Sequence, residues 1–86
     1  MKRNLKFHTD PGHGWLEVPL RDLTTLGVAD DISSSSYQNE TSAYLEDDLD
    51  AGVYLRAARE AGWAVDIDDN YIDGDSFVRD LPDYGG

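Results

Sequence analysis

The chain contains no cysteine, which excludes a disulfide framework, a thiolate zinc centre and a cysteine nucleophile. Basic residues are scarce: seven Lys and Arg among 86 positions are too few for a nucleic-acid-binding patch of any size. No apolar run approaches the roughly 20 residues that a membrane-spanning helix needs. The basic start Met1-Lys2-Arg3-Asn4 is not followed by the apolar stretch of a secretion signal. Phosphate-binding and dinucleotide fingerprints are missing too, as is any Ser-His-Asp order, and Gly12-x-Gly14 reads only as a turn. These absences predict a soluble, cytoplasmic protein that takes no cofactor, does not bind nucleic acid or membranes directly, and is not an enzyme.

Apolar mass and acid are both plentiful. Hydrophobic residues make up 40% of the chain, with two Trp, five Tyr and two Phe, enough to close one small core over residues 1–86 and too little for two. Eighteen Asp and Glu give a formal net charge of −11. The charge is lopsided. Residues 1–21 hold four basic and two acidic side chains, whereas residues 22–86 hold three basic and sixteen acidic ones. Such a field repels nucleic acid and attracts basic surfaces from beyond contact range.

The hydrophobic pattern predicts an α+β fold. Leu5 and Phe7 alternate with polar neighbours, Asp10-Pro11-Gly12-His13-Gly14 is turn chemistry, and Trp15 to Val18 resumes the alternation, so residues 5–18 form a hairpin. Leu20, Leu23 and Leu26 recur at helical spacing before a Gly27-Val28 cap. Ile32 to Tyr37 and Thr41 to Leu45 read as a second strand pair. Asp47 or Asp48 caps a longer helix to Ala61, with Ala51, Tyr54, Leu55, Ala58 and Ala61 as its apolar stripe and Gly62 as its stop. Trp63, Val65 and Ile67 alternate as a last strand that packs on that stripe, and Ser76 to Leu81 reads as a short terminal helix. The order β-β-α-β-β-α-β predicts a small antiparallel sheet of four to five strands, packed by two to three helices on one face.

Three constellations carry candidate chemistry. His8-x-Asp10-x-x-His13 holds the residue types of a two-His, one-carboxylate metal site, but its ligands crowd into a Pro-Gly turn of a chain too short to build a pocket, so the loop reads as structural. Asp66-x-Asp68-x-Asn70 opens like a calcium loop, then has Tyr71 where that loop needs Gly and Phe77 where it needs Glu. No metal is expected at either. The third is the acids themselves. Glu46, Asp47, Asp48 and Asp50 are more like charges than capping one helix requires. Asp66, Asp68 and Asp69 continue the run, with Asp66 and Asp68 on one strand face about 6.6 Å apart. These seven are the expected partner-binding residues. A compact chain of this length spans roughly 30 Å, over which duplex DNA carries about 18 phosphates. The net charge of −11 lies within a factor of two of that.

The runs His8-Thr9-Asp10-Pro11-Gly12-His13-Gly14-Trp15-Leu16-Glu17-Val18 and Ala43-Tyr44-Leu45-Glu46-Asp47-Asp48-Leu49-Asp50-Ala51 resemble small phage- and prophage-encoded proteins of uncharacterised type. In size and charge, though not in motif, the chain also resembles the DNA-mimic inhibitors of CRISPR and restriction systems. That resemblance implies binding to a basic DNA-binding protein or complex in the host cytoplasm; a monomer or weak homodimer is expected. The rival expectations are a phage accessory protein whose acidity is incidental and a metal-binding protein at His8, Asp10 and His13.

Overall fold

In the computed structural model, which describes residues 1–85, the Pro-Gly turn reverses the chain between β1 (Lys2–Thr9) and β2 (Gly14–Pro19). Gly14 is required by close approach: a Cβ there would lie 2.8 Å from Phe7 Cζ. Pro19 leads directly into α1 (Leu20–Thr25). A hairpin of β3 (Tyr37–Gln38) and β4 (Ser42–Glu46) follows, then α2 (Asp50–Glu60) and β5 (Ala64–Tyr71).

Both helices stop as their sequences predict. Gly27 and Gly62 take left-handed φ values of 73° and 81°. The N–H groups of Gly27 and Val28 close on Thr24 and Leu23 carbonyls, and those of Gly62 and Trp63 close on Arg59 and Ala58 carbonyls. Each pair satisfies two carbonyls that the helix end leaves free.

The sheet has five strands in the order β3-β4-β2-β1-β5. It is mixed: β1 to β4 pair antiparallel, whereas β5 runs parallel to β1 over eight register pairs, from Lys2 opposite Ala64 to Thr9 opposite Tyr71. The parallel pair arises because α2 carries the chain back along the sheet before β5 begins, which is the crossover that parallel strands need.

One sheet face presents Leu5, Leu16, Val18, Ala43 and Leu45, and α1 and α2 cover it with Leu23, Ala51, Tyr54 and Ala58. The opposite face has a smaller core of Trp15, Tyr44 and Val78, flanked by Tyr37 and Leu81. Val78 belongs to Phe77–Asp80, a turn of 3-10 helix within the Ser76 to Leu81 stretch that the sequence reads as a short terminal helix. The turn is therefore on the face opposite α1 and α2. Two further expectations change. The serine run is a loop, leaving only Tyr37 and Gln38 as strand, because Ser33 and Ser36 are drawn to the buried Asp50 carboxylate. On the last strand, Trp63 and Val65 do pack on the main core, but Ile67 remains 44% exposed and Leu55 is only half-buried.

Candidate functional site

Strand direction sorts the charges. β1, β4 and β5 point one way and β2 the other, so the 10–14 turn, the Glu46-Asp47-Asp48 run, the start of α2 and the end of β5 emerge at one end of the sheet. Lys2 and Arg3 start β1 at the opposite end. Arg21 follows the end of β2 there, and Arg56 and Arg59 lie in the half of α2 that runs toward it. Lys6 sits mid-strand. Arg79 reaches the acidic end and is held by Asp10, with Nε 2.7 Å from Oδ2 and Nη2 2.8 Å from Oδ1. One end of the molecule is thus left strongly negative, and the β5 edge carries Asp66, Asp68 and Asp69 with Lys2 and Lys6 of β1 alongside.

The seven expected acids divide between surface and interior. Asp47 and Asp48 are exposed on the β4–α2 turn, and Asp66, Asp68 and Asp69 are exposed on β5. Glu46 is half-buried, and its Oε1 accepts the Leu49 N–H at 2.9 Å. Leu49, not Asp47 or Asp48, occupies the helix N-cap position, and Glu46 satisfies its backbone donor instead. Asp50 leaves the partner-binding set. It is 0% exposed, and its Oδ2 accepts the Ser33 N–H and the hydroxyls of Ser33 and Ser36 at 3.1, 2.7 and 2.6 Å. A carboxylate so enclosed pins the serine loop to α2 and is closed to a partner.

One acid from each surface group lines a common groove. Asp47 and Asp69 stand at the rim of a groove of about 370 Å³, floored by Phe7, Leu16, Ala51, Gly52, Leu55 and Ile67. Asp66 and Asp68 lie on the other face of β5, and Asp66 comes no closer to a cation than 3.9 Å from Lys2, with both side chains exposed. Such a pair contributes about 0–1 kcal/mol and leaves the carboxylate available. Asp48, Asp68 and Asp69 make no ion pair among the described residues.

His8, Asp10 and His13 do not converge. His8 is buried between the rings of Tyr44 and Phe77. The Asn70 amide donates to its Nδ1 at 3.2 Å, which places the proton on Nε2, and that nitrogen donates to Glu17 Oε1 at 2.8 Å. Asp10 ties the hairpin turn to the C-terminal segment, accepting the N–H groups of Gly12, His13 and Ser76 as well as Arg79. His13 points elsewhere, with Nε2 3.7 Å from Asp47 Oδ1 and 3.9 Å from Glu46 Oε2. One ligand-capable atom each of His13, Glu46, Asp47 and Asp48 lies within 4.8 Å of the others. The residues able to approach a cation are therefore His13 and the acidic run, a grouping that spacing along the sequence does not reveal.

The Arg79 hydrogen bonds, and next the Ser76 N–H, hold the Asp10 carboxyl well below the usual carboxylate range. A depressed folded-state pKa means that Asp10 stabilises the fold above its unfolded value of about 4 and loses that contribution as pH falls further. Wild type should accordingly exceed an Asp10→Asn variant in urea midpoint at pH 7, with the difference shrinking steadily from about pH 4.5 to pH 2. A constant difference across that range would remove Asp10 from the acid response.

No helix among the described residues is long and apolar enough to cross a membrane. No protein-family model, curated protein or solved structure matches the chain.

Proposed function

We propose that the protein is a non-catalytic inhibitor that lays its acidic end and β5 edge on the basic, nucleic-acid-binding surface of a host defence complex. The observation that carries this reading is that Asp47 and Asp69, which lie apart in the chain, line one groove, with Asp48 beside it on the β4–α2 turn and Asp66 and Asp68 on the far face of the same edge strand. Five of the seven Lys and Arg lie toward the other end, so the field has a direction as well as a sign. The longest dimension is 36 Å, and duplex DNA of that length carries about 21 phosphates. With a net charge of −11, the protein offers about half that charge over the same span, displayed as carboxylates that guanidinium and ammonium groups bind by charge-assisted hydrogen bonds.

A phage origin and a site of action in the host cytoplasm belong to the same proposal, as does action as a monomer or weak homodimer. The phage origin rests on the resemblance of the 8–18 and 43–51 runs to small phage and prophage proteins, and the site of action on the resemblance in size and charge to DNA-mimic inhibitors. Immobilised protein should retain a nucleic-acid-binding complex from host lysate at about 50 mM salt and release it near 0.5 M, where screening falls to a few ångströms. Duplex DNA should displace it from that complex. Retention in high salt, alongside bound DNA, would contradict the reading.

A further inference from the structure

The outer edge of β5 is open. The Ala64 N–H bonds to the Met1 carbonyl and the Ile72 N–H to the Thr9 carbonyl, both at 2.9 Å. In a parallel ladder alternate residues bond to the neighbouring strand, so the even positions of β5 turn their backbone groups to β1. Val65, Ile67, Asp69 and Tyr71 therefore direct their N–H and C=O groups outward, where no strand meets them among the described residues. Eight residues is a long edge for a small sheet.

Its chemistry guards that edge against one partner and leaves it open to another. Asp66 and Asp68 lie on one face of the strand, and Asp69 lies on the other beside the groove. Pairing with the same edge of a second copy would bring these like charges together, which disfavours self-addition. Apolar groups stay uncovered beside them: Ile67, Tyr71 and Ile72 are 44%, 62% and 47% exposed. Gly52, exposed in the first turn of α2, lines the same groove, and a Cβ at that position would meet nothing within 4 Å, so a larger side chain can be placed there without a clash at its first carbon. A glycine placed in a helix at a cost of about 1 kcal/mol relative to Ala lines the wall of an apolar groove next to an unpaired strand.

We infer that β5 is a strand-addition site for an extended segment of the partner in which apolar residues alternate with Lys or Arg. The segment bonds to the outward backbone groups of Val65, Ile67, Asp69 and Tyr71. Its apolar side chains cover Ile67 and enter the groove, and its basic ones lie beside Asp66 and Asp68. This period of two is what an incoming strand imposes. The basic half of the occupant's chemistry rests on the acidic-surface reading above, whereas the open edge and groove stand independently of it.

The probes are two octapeptides of identical composition, one alternating Lys and Val and the other four Lys followed by four Val. Binding is measured with the full chain at low salt, with backbone amide exchange followed by NMR. The alternating peptide should bind at least tenfold tighter than its block isomer and slow exchange at Val65, Ile67, Asp69 and Tyr71. Gly52→Leu, which places an apolar side chain in the groove, should reduce that affinity at least tenfold. Asp69→Pro, which removes one outward donor, is the second variant and should act in the same direction. Equal affinity for the two isomers, unchanged exchange at the four amides, or no binding of either peptide overturns the inference. Preference for the alternating peptide that is unaffected by salt supports strand addition and overturns only the acidic-surface reading.

Discussion

Replacing Asp22 with Ala should lower stability by about 3–5 kcal/mol, a large share of the 5–15 kcal/mol typical of a domain. Asp22 is 1% exposed in α1, and its carboxylate accepts Arg3 Nε at 2.8 Å, Arg3 Nη2 at 2.9 Å and the Tyr54 hydroxyl at 2.9 Å. Burial pushes the carboxyl up, but the hydrogen bonds from Arg3 and Tyr54 outweigh it and hold the group below its ordinary value. The same burial and the same carboxylate push the Tyr54 hydroxyl far above its normal range. Truncation would strand that buried hydroxyl and leave Arg3 with its stacking on Trp63, 5.1 Å from the ring centre, and an exposed hydrogen bond to the Lys2 carbonyl. It would also untie β1, α1 and α2 from one another at a single point. Tyr54→Phe is the calibrating variant: it removes one hydrogen bond and keeps the packing, so it should cost about 0.5–1.5 kcal/mol. Urea denaturation at pH 7 measures both. A loss below about 1 kcal/mol for Asp22→Ala would mean that water satisfies what the carboxylate now does.

Local chemistry was legible in the sequence and long-range chemistry was not. The Pro-Gly turn, the alternation of β1 and β2, and the Gly-then-apolar helix stops all act within a few residues, and all appear where the sequence places them. The serine run failed as a strand because its hydrogen-bond partner, Asp50, lies 14 to 17 residues away. Asp50 was misplaced on the surface for the same reason. Position at a helix start suggests a solvated cap, and only the folded loop shows that it is enclosed. Arg79 finds Asp10 across 69 residues, a pairing with no local signature.

The candidate site divides along the same line. That Asp47, Asp48, Asp66, Asp68 and Asp69 are exposed follows from their number and company. That Asp47 and Asp69 line one groove depends on β5 lying parallel to β1, and nothing in residues 64–71 specifies which strand they join. His13 was grouped with His8 and Asp10 by spacing, yet alternation sends His8 into the sheet and the turn sends His13 toward Glu46 and Asp47.

The acidic surface is open to a test in which charge changes and the fold does not. Asp47, Asp48, Asp66 and Asp68 are exposed, and the ion pairs among them are long: 3.7 Å for His13 with Asp47 and 3.9 Å for Lys2 with Asp66. Converting all four to Lys brings the formal net charge from −11 to −3, while circular dichroism and urea midpoint should stay near wild type, because exposed carboxylates contribute little and repel one another. Binding should behave differently. Reversal at Asp47 and Asp48 alone, or at Asp66 and Asp68 alone, should each slow association with the basic partner, since long-range attraction acts chiefly on that rate. The decisive quantity is the affinity of the folded quadruple Lys variant for the complex retained from lysate. A loss of about 100-fold or more, matched in the wild type by raising salt, is the expected result; wild-type affinity in that variant would contradict the acidic surface as the site of binding.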